Sequence, residues 1–201
     1  MPITLRGEFW GADSAGMEAV PPEELVPRRV LIEEMLELCR ACARARLNIV
    51  IGAAPGAGGT AAALAEAIGA VQSAAFRIIQ ATSPRDAIRR MEAMAAAAEP
   101  GMDLRALRLK VAAAVDLIVQ VARLSDGTLR VTYLTECVGV EANNQIALQD
   151  IFVFEKTGRT EAGRFQGRFR ATGIRPRFWL RLHECGIELP RSILEANVTV
   201  E

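Results

Sequence analysis

Leu47-Asn48-Ile49-Val50-Ile51-Gly52-Ala53-Ala54-Pro55-Gly56-Ala57-Gly58-Gly59-Thr60 carries an apolar run into a glycine-rich turn, and an Ala/Leu-rich helical segment follows. A short apolar run bounded by turn residues reads as a buried strand. Strand, glycine loop and helix in that order are the layout of a phosphate-binding P-loop, G-x-x-x-x-G-K-[ST]. Two fixed positions depart from the pattern: Ala53 stands where the first glycine belongs, and Gly59 fills the lysine slot.

Gly56, Gly58, Gly59 and Thr60 remain as the candidate nucleotide-binding residues. Backbone N–H groups and the positive end of the following helix attract phosphate oxygens. The Thr60 hydroxyl offers a ligand for Mg²⁺. The lysine ammonium cannot be replaced by Gly59. A unit-charge pair near a protein surface is worth about 4 kcal/mol at close contact before desolvation. If half of that survives as net binding, the loss is about thirtyfold in affinity. ATP with Mg²⁺ is therefore the cofactor that the loop's shape suggests and its chemistry opposes. A plain glycine turn between strand and helix is the simpler alternative, and the residues leave both open.

Hydrolysis needs still more, because in-line attack on the γ-phosphate requires metal and charge clamps in the transition state. No Walker B acid stands in sequence position to hold Mg²⁺. The nearest acids are Glu66, on the helix after the loop, and Asp86, which reads as a helix-start residue. Arg46, just ahead of the strand, is the one substitute cation considered. No catalytic residue and no metal ligand is assigned.

Composition narrows the class. Twenty-four basic and twenty-four acidic residues cancel in a chain of 201, so no global field draws it to nucleic acid or a membrane surface. The first thirty residues are broken by prolines and show no secretory signal, and no apolar run is long enough to span a bilayer. A cytoplasmic protein is expected. Cys39 and Cys42 have C-x-x-C spacing, but they lie in an amphipathic pattern with Leu31, Met35 and Leu38, so core packing is the better reading. Cys137, Cys185 and the single histidine, His183, complete neither a zinc site nor a catalytic triad.

Further along the chain, residues 1–22 are Gly/Ala/Pro-rich and are expected to lack a fixed fold; 23–201 are expected to form one domain. A helix is expected from Pro27 to near Arg46, another over Thr60 to Gly69, and a strand over Phe76 to Gln80. Ser83-Pro84-Arg85-Asp86 then starts a helix, with Ser83 as cap and Pro84 in the first helical position. Ile88, Met91 and Ala95 make its inner face. After Pro100-Gly101 a second helix turns Leu104, Leu107 and Val111 inward. Four strands follow: Asp116–Val121, Leu129–Val140, Ile146–Phe154 and Arg164–Ala171, with a turn at Leu124-Ser125-Asp126-Gly127. Val131, Tyr133 and Cys137 are expected on one strand face, and Asp150 in line with Phe152 and Phe154. A terminal helix spans Arg177–Cys185. The basic stretch Arg159, Arg164, Arg168, Arg170, Arg175, Arg177 and Arg181 has a single acid, Glu161, within it. A solvated face is its first reading, a subunit contact the second and nucleic acid the last.

Several co-linear segments resemble one family. The strand and glycine loop, Ser83-Pro84-Arg85-Asp86-Ala87-Ile88-Arg89-Arg90-Met91-Glu92, Asp116-Leu117-Ile118-Val119-Gln120-Val121, Leu148-Gln149-Asp150-Ile151-Phe152-Val153-Phe154-Glu155 and Gly167-Arg168-Phe169-Arg170-Ala171-Thr172-Gly173-Ile174-Arg175-Pro176 resemble the type II/IV secretion ATPases, most of all the CpaF-like motors of Tad/Flp pilus assembly. The resemblance covers roughly residues 25 to 190. It implies an α/β fold: a reduced RecA-like P-loop core with a C-terminal antiparallel β extension and terminal helices. It also implies what is missing. The family carries an amino-terminal domain, and several dozen residues ahead of Phe76 that hold its acidic boxes. Gln80 stands where the family has a histidine. The resemblance thus implies a pseudo-ATPase that acts by protein–protein contact, either with an intact secretion or pilus motor subunit or with copies of itself. The alternative is an active or weakly active ATP-binding motor.

Overall fold

The computed structural model describes residues 20–69, 76–161 and 163–200. Seven strands form one mixed sheet: β1 (Ile49–Ala53), β2 (Phe76–Gln80), β3 (Leu117–Arg123), β4 (Leu129–Val140), β5 (Ile146–Arg159), β6 (Phe165–Ala171) and β7 (Asn197–Val200), in the spatial order β2-β1-β3-β4-β5-β6-β7. β2, β1 and β3 run parallel; from β3 onward every pairing is antiparallel. The expected α/β class and antiparallel extension are both present. Among the described residues no helix is long and apolar enough to cross a membrane.

Among the described residues five α-helices cover the sheet: α1 (Glu33–Arg44), α2 (Gly58–Ala67), α3 (Pro84–Ala98), α4 (Leu104–Ala113) and α5 (Trp179–Glu184). Two apolar cores result. The larger packs α1, α2 and α5 residues against Ile49, Ile51, Leu117, Val119 and Val121. The smaller packs Ala87, Ile88 and Met91 of α3 and Leu107 and Val111 of α4 against Val50 and Ile118 on the opposite face. Every β1 residue is buried, because helices cover both of its sides.

Local chemistry explains most boundaries. α3 begins as expected: the Ser83 hydroxyl accepts from the Asp86 N–H at 3.1 Å. α1 starts at Glu33, six residues later than Pro27, because Arg29 takes a left-handed φ of 58° and turns the chain before the helix can form. Its end is a Schellman motif on a non-glycine residue. Arg46 has φ 55° and donates to the Ala43 carbonyl, while the Leu47 N–H reaches Cys42. α5 is shorter than expected, and β5 runs past Phe154 to Arg159. Leu104 is half exposed, at 52%, because it opens α4 beyond the edge of the smaller core; Leu107 and Val111 alone turn inward. The expectation for residues 1–19 lies outside the described residues. Residues 20–22 join the packed chain, with Val20 buried and a 3₁₀ turn starting at Pro22.

Bulges overturn two expected faces. β4 shifts register against β3 between Gln120 and Val121, so Val131 and Leu134 both enter the larger core while Cys137 packs on the smaller one. In β5 the extra residue is Ile151, which lies between the Thr135↔Asp150 and Leu134↔Phe152 pairs. Ile146 and Leu148 therefore serve the smaller core, and Ile151, Phe152 and Phe154 the larger. Asp150 falls with the former group rather than in line with the phenylalanines. It is half-buried and accepts from the Thr135 hydroxyl at 2.7 Å.

Candidate phosphate-loop site

The glycine loop leaves the sheet at the C-terminal end of β1, between its two parallel neighbours. Gly52 is paired with Ile79 and Gln120, and Ala53 with Gln80 and Val121. Pairing continues one step past the strand, since the Ala54 N–H donates to the Val121 carbonyl and the Ala81 N–H to that of Ala53. In parallel α/β sheets this edge is where ligands bind. The topology therefore sets the loop in the right place for a phosphate site.

The loop itself is a tight turn. The Ala57 N–H donates to the Ala54 carbonyl at 2.9 Å, and Pro55 and Gly56 occupy the central positions. Gly56 has φ 79°, which a proline-first, glycine-second turn of type II requires. α2 starts at Gly58, and its first internal bond runs from the Ala61 N–H to the Ala57 carbonyl. The N–H groups of Gly58, Gly59 and Thr60 lie upstream of that bond, at the positive end of the helix. Gly58 and Gly59 are half-buried, and no side chain caps this end. The structure thus brings Gly56, Gly58, Gly59 and Thr60 together within one turn of chain. The Thr60 side chain is buried, at 2% exposure, so its hydroxyl does not face solvent as a ligand for a hydrated metal would.

The cation held against the loop comes from an unexpected place. Arg123, at the end of β3, directs Nε and Nη2 to the Gly56 carbonyl, each at 3.4 Å, and Nη1 to the Gly127 carbonyl at 2.9 Å. Its guanidinium ties the loop to the β3–β4 turn. The sequence signal was an arginine immediately ahead of Leu124-Ser125-Asp126-Gly127, and reading that stretch only as turn chemistry missed it. Arg46 does not reach the loop: it caps α1 at the other end of β1, about 16 Å of strand away.

The acids near the loop are committed elsewhere. Glu66 is exposed, two turns into α2. Asp86 Oδ2 accepts from the Thr82 N–H at 3.0 Å, the Thr82 hydroxyl at 3.3 Å and Arg90 Nε at 3.1 Å. The Thr82 N–H first, then Arg90, holds this carboxyl below its ordinary value. It works as a helix-start residue. Beneath the loop, Gln120 is fully buried; its Nε2 donates to the Ala81 carbonyl at 2.8 Å, and its Oε1 has no partner. That oxygen lies over Gly52, where a Cβ would stand 3.1 Å from Gln120 Cδ and closer still to Oε1.

Cys39 and Cys42 are both buried, and burial pushes the Cys39 thiol up to about 12, so neither is a thiolate at neutral pH. Arg168 and Arg170 share a strand face as expected; both are partly exposed and ion-paired. Glu155 of β5 takes both, at 2.7 and 2.6 Å. Arg181 pairs with Asp116 at 2.6 Å. The acids that answer the basic stretch come from outside it, Glu155 on the neighbouring strand β5 and Asp116 just ahead of β3.

Chemically, the arrangement offers a few backbone N–H donors to an oxyanion. It offers neither a metal-binding carboxylate at the loop nor a lysine. No family model and no curated protein matches this chain.

Proposed function

We propose that this chain is a CpaF-like relative of the secretion and pilus motors, with a reduced RecA-like core, that has lost ATP hydrolysis and acts in the cytoplasm by binding protein. Its partner is an intact motor subunit of that class or a second copy of itself. The observation that carries the reading is the lysine slot. Gly59 stands in the first turn of α2, at a loop on the C-terminal edge of the parallel strands, and Thr60 beside it is buried. The parallel β2-β1-β3 order around the loop and the antiparallel extension beyond β3 support the lineage.

The test is phosphate release from ATP with Mg²⁺ by the purified chain. The expected result is none above background; steady release that scales with protein concentration overturns the proposal. Co-elution with an intact motor of the secretion class tests the partner, and separate elution of both proteins, with the chain itself monomeric, removes that part. A second reading, residual ATP binding without turnover, is favoured by the helix-start N–H groups of the half-buried Gly58 and Gly59. Calorimetry with Mg²⁺-ATP on wild type and on Gly59→Lys separates the two.

A further inference from the structure

A cavity of about 600 Å³ opens beside the glycine loop, between the β3–β4 turn, the chain ahead of α1 and the β5–β6 turn. Among the described residues its walls include Arg28, Arg123, Arg130 and Arg164, against one acid, Asp126. Arg28 is already paired with Glu24; the other three guanidinium groups, gathered from separate segments of the chain, repel one another unless something negative lies between them.

Arg130 is the informative member. It is 4% exposed. Its Nη1 donates to the Leu129 carbonyl at 2.9 Å, its guanidinium lies 5.9 Å from the centre of the Phe154 ring, and its Nε has no partner. Among the described residues it forms no ion pair, and neither do Arg123 and Arg164. A buried cation without a carboxylate is costly, so its retention calls for a compensating anion. Asp126 fills that place only in part, acting on Arg130 through space without a direct ion pair. Its Oδ1 takes the Thr128 N–H and hydroxyl at 2.9 and 2.7 Å, and its Oδ2 takes the Phe165 N–H at 2.6 Å. Burial lowers the Arg130 guanidinium from its ordinary value, while Asp126 acts in the opposite sense.

We propose that this cavity binds a polyphosphate group, with Arg130 as the innermost cation, Arg123 on the wall beside the loop and Arg164 at the rim. Guanidinium forks match phosphate oxygens two at a time, and several forks on different walls suit a di- or triphosphate better than a single carboxylate. The volume is that of an ordinary small-ligand site. Among the described residues no aromatic side chain lines it, so the proposal is for the phosphates rather than a base. The site is separate from the glycine loop's N–H groups and does not depend on the reading of function above.

Titration of the full-length protein with inorganic pyrophosphate, followed by calorimetry and by thermal shift, tests the proposal; a parallel titration with ATP tells free polyphosphate from a nucleotide tail. Wild type is expected to bind and to melt at a higher temperature with ligand. Arg130→Met is expected to weaken binding tenfold or more while melting, without ligand, no lower than wild type. Arg123→Gln is expected to weaken it severalfold, and it carries the test if Arg130→Met fails to fold. Arg105→Gln, which removes an exposed charge on α4, is the control and leaves affinity unchanged. Absence of binding by wild type at millimolar pyrophosphate and ATP overturns the site, as does binding indifferent to Arg130 and Arg123. ATP turnover would overturn the proposed function and leave this inference standing.

Discussion

The parallel and antiparallel halves of the sheet meet at β3, and they divide what a phosphate site normally combines. The parallel half has the backbone: a loop at the C-terminal end of β1 and a helix opening on glycines. The antiparallel half has the charge: Arg123, Arg130 and Arg164 around the β3–β4 and β5–β6 turns. Only Arg123 touches both, through the carbonyls of Gly56 and Gly127. The difference teaches that loop shape and loop chemistry are separable. The shape follows from a short buried strand and a proline-glycine turn, which folding alone requires; the ammonium is a functional addition, and folding does not miss it.

Each half also holds one glycine whose missing Cβ seats a neighbour, and the two predict different costs. The largest effect is expected in the antiparallel half. At Gly167 a Cβ would stand 2.7 Å from the Glu155 carbonyl and against the Phe154 ring, which itself packs on Phe169 at 5.0 Å. Backbone cannot step aside, so Gly167→Ala is expected to cost about 3 kcal/mol in denaturant unfolding. Next comes Gly59→Lys, which places an ammonium at the start of α2 in the parallel half. It is expected to tighten Mg²⁺-ATP binding about thirtyfold by calorimetry. An unchanged affinity would mean that the loop's N–H groups do not cradle phosphate. Gly52→Ala is expected to cost less than Gly167→Ala, about 1–2 kcal/mol, since it displaces only the end of the Gln120 side chain. A double-mutant cycle with Gln120→Ala should show coupling of about 1 kcal/mol, and additivity would break the assigned contact.

What could be read from the residues depended on how far apart the partners lie. β2 was legible to its ends, because Phe76, Ile78 and Ile79 make a short β-favouring stretch ahead of the Ser83-Pro84 helix start. α3 was legible because Ser83, Pro84 and Asp86 act within one helical turn. The loop's position at the sheet edge followed from strand-then-helix order. The faces of Cys137 and Asp150 were not legible, since one inserted residue reverses alternation and nothing local marks the insertion. Glu155 could not be matched to Arg168 and Arg170 without knowing that β5 pairs with β6 in that register. The cavity was the least legible of all. Its arginines come from four stretches of chain between residues 28 and 164, and each taken alone looks like an ordinary surface charge.

The smallest expected effect compares one carboxylate in each half under acid. Asp86 is held below the ordinary aspartate value of 3.8, chiefly by the Thr82 N–H and then by Arg90. Asp126 is also lowered: burial opposes ionisation there, but the Phe165 and Thr128 donors outweigh it. A carboxyl depressed in the folded state binds its proton less readily than in the unfolded chain. Its stabilisation is therefore fully present above the unfolded value and is lost as pH falls through the folded one. Both contributions should be intact at neutral pH and disappear only below pH 3.8. The Thr82 and Phe165 amide resonances report them separately, because each N–H donates to one of the two carboxylates. Both are expected to titrate with midpoints under 3.8. Asp86→Asn should remove the first titration and cost about 0.5–1 kcal/mol at pH 7, a helix-start effect. Asp126→Asn should remove the second and loosen the turn that frames the arginine cavity, so it should also change pyrophosphate affinity, whereas Asp86→Asn should not. Equal effects of the two variants on that affinity would erase the division between the halves.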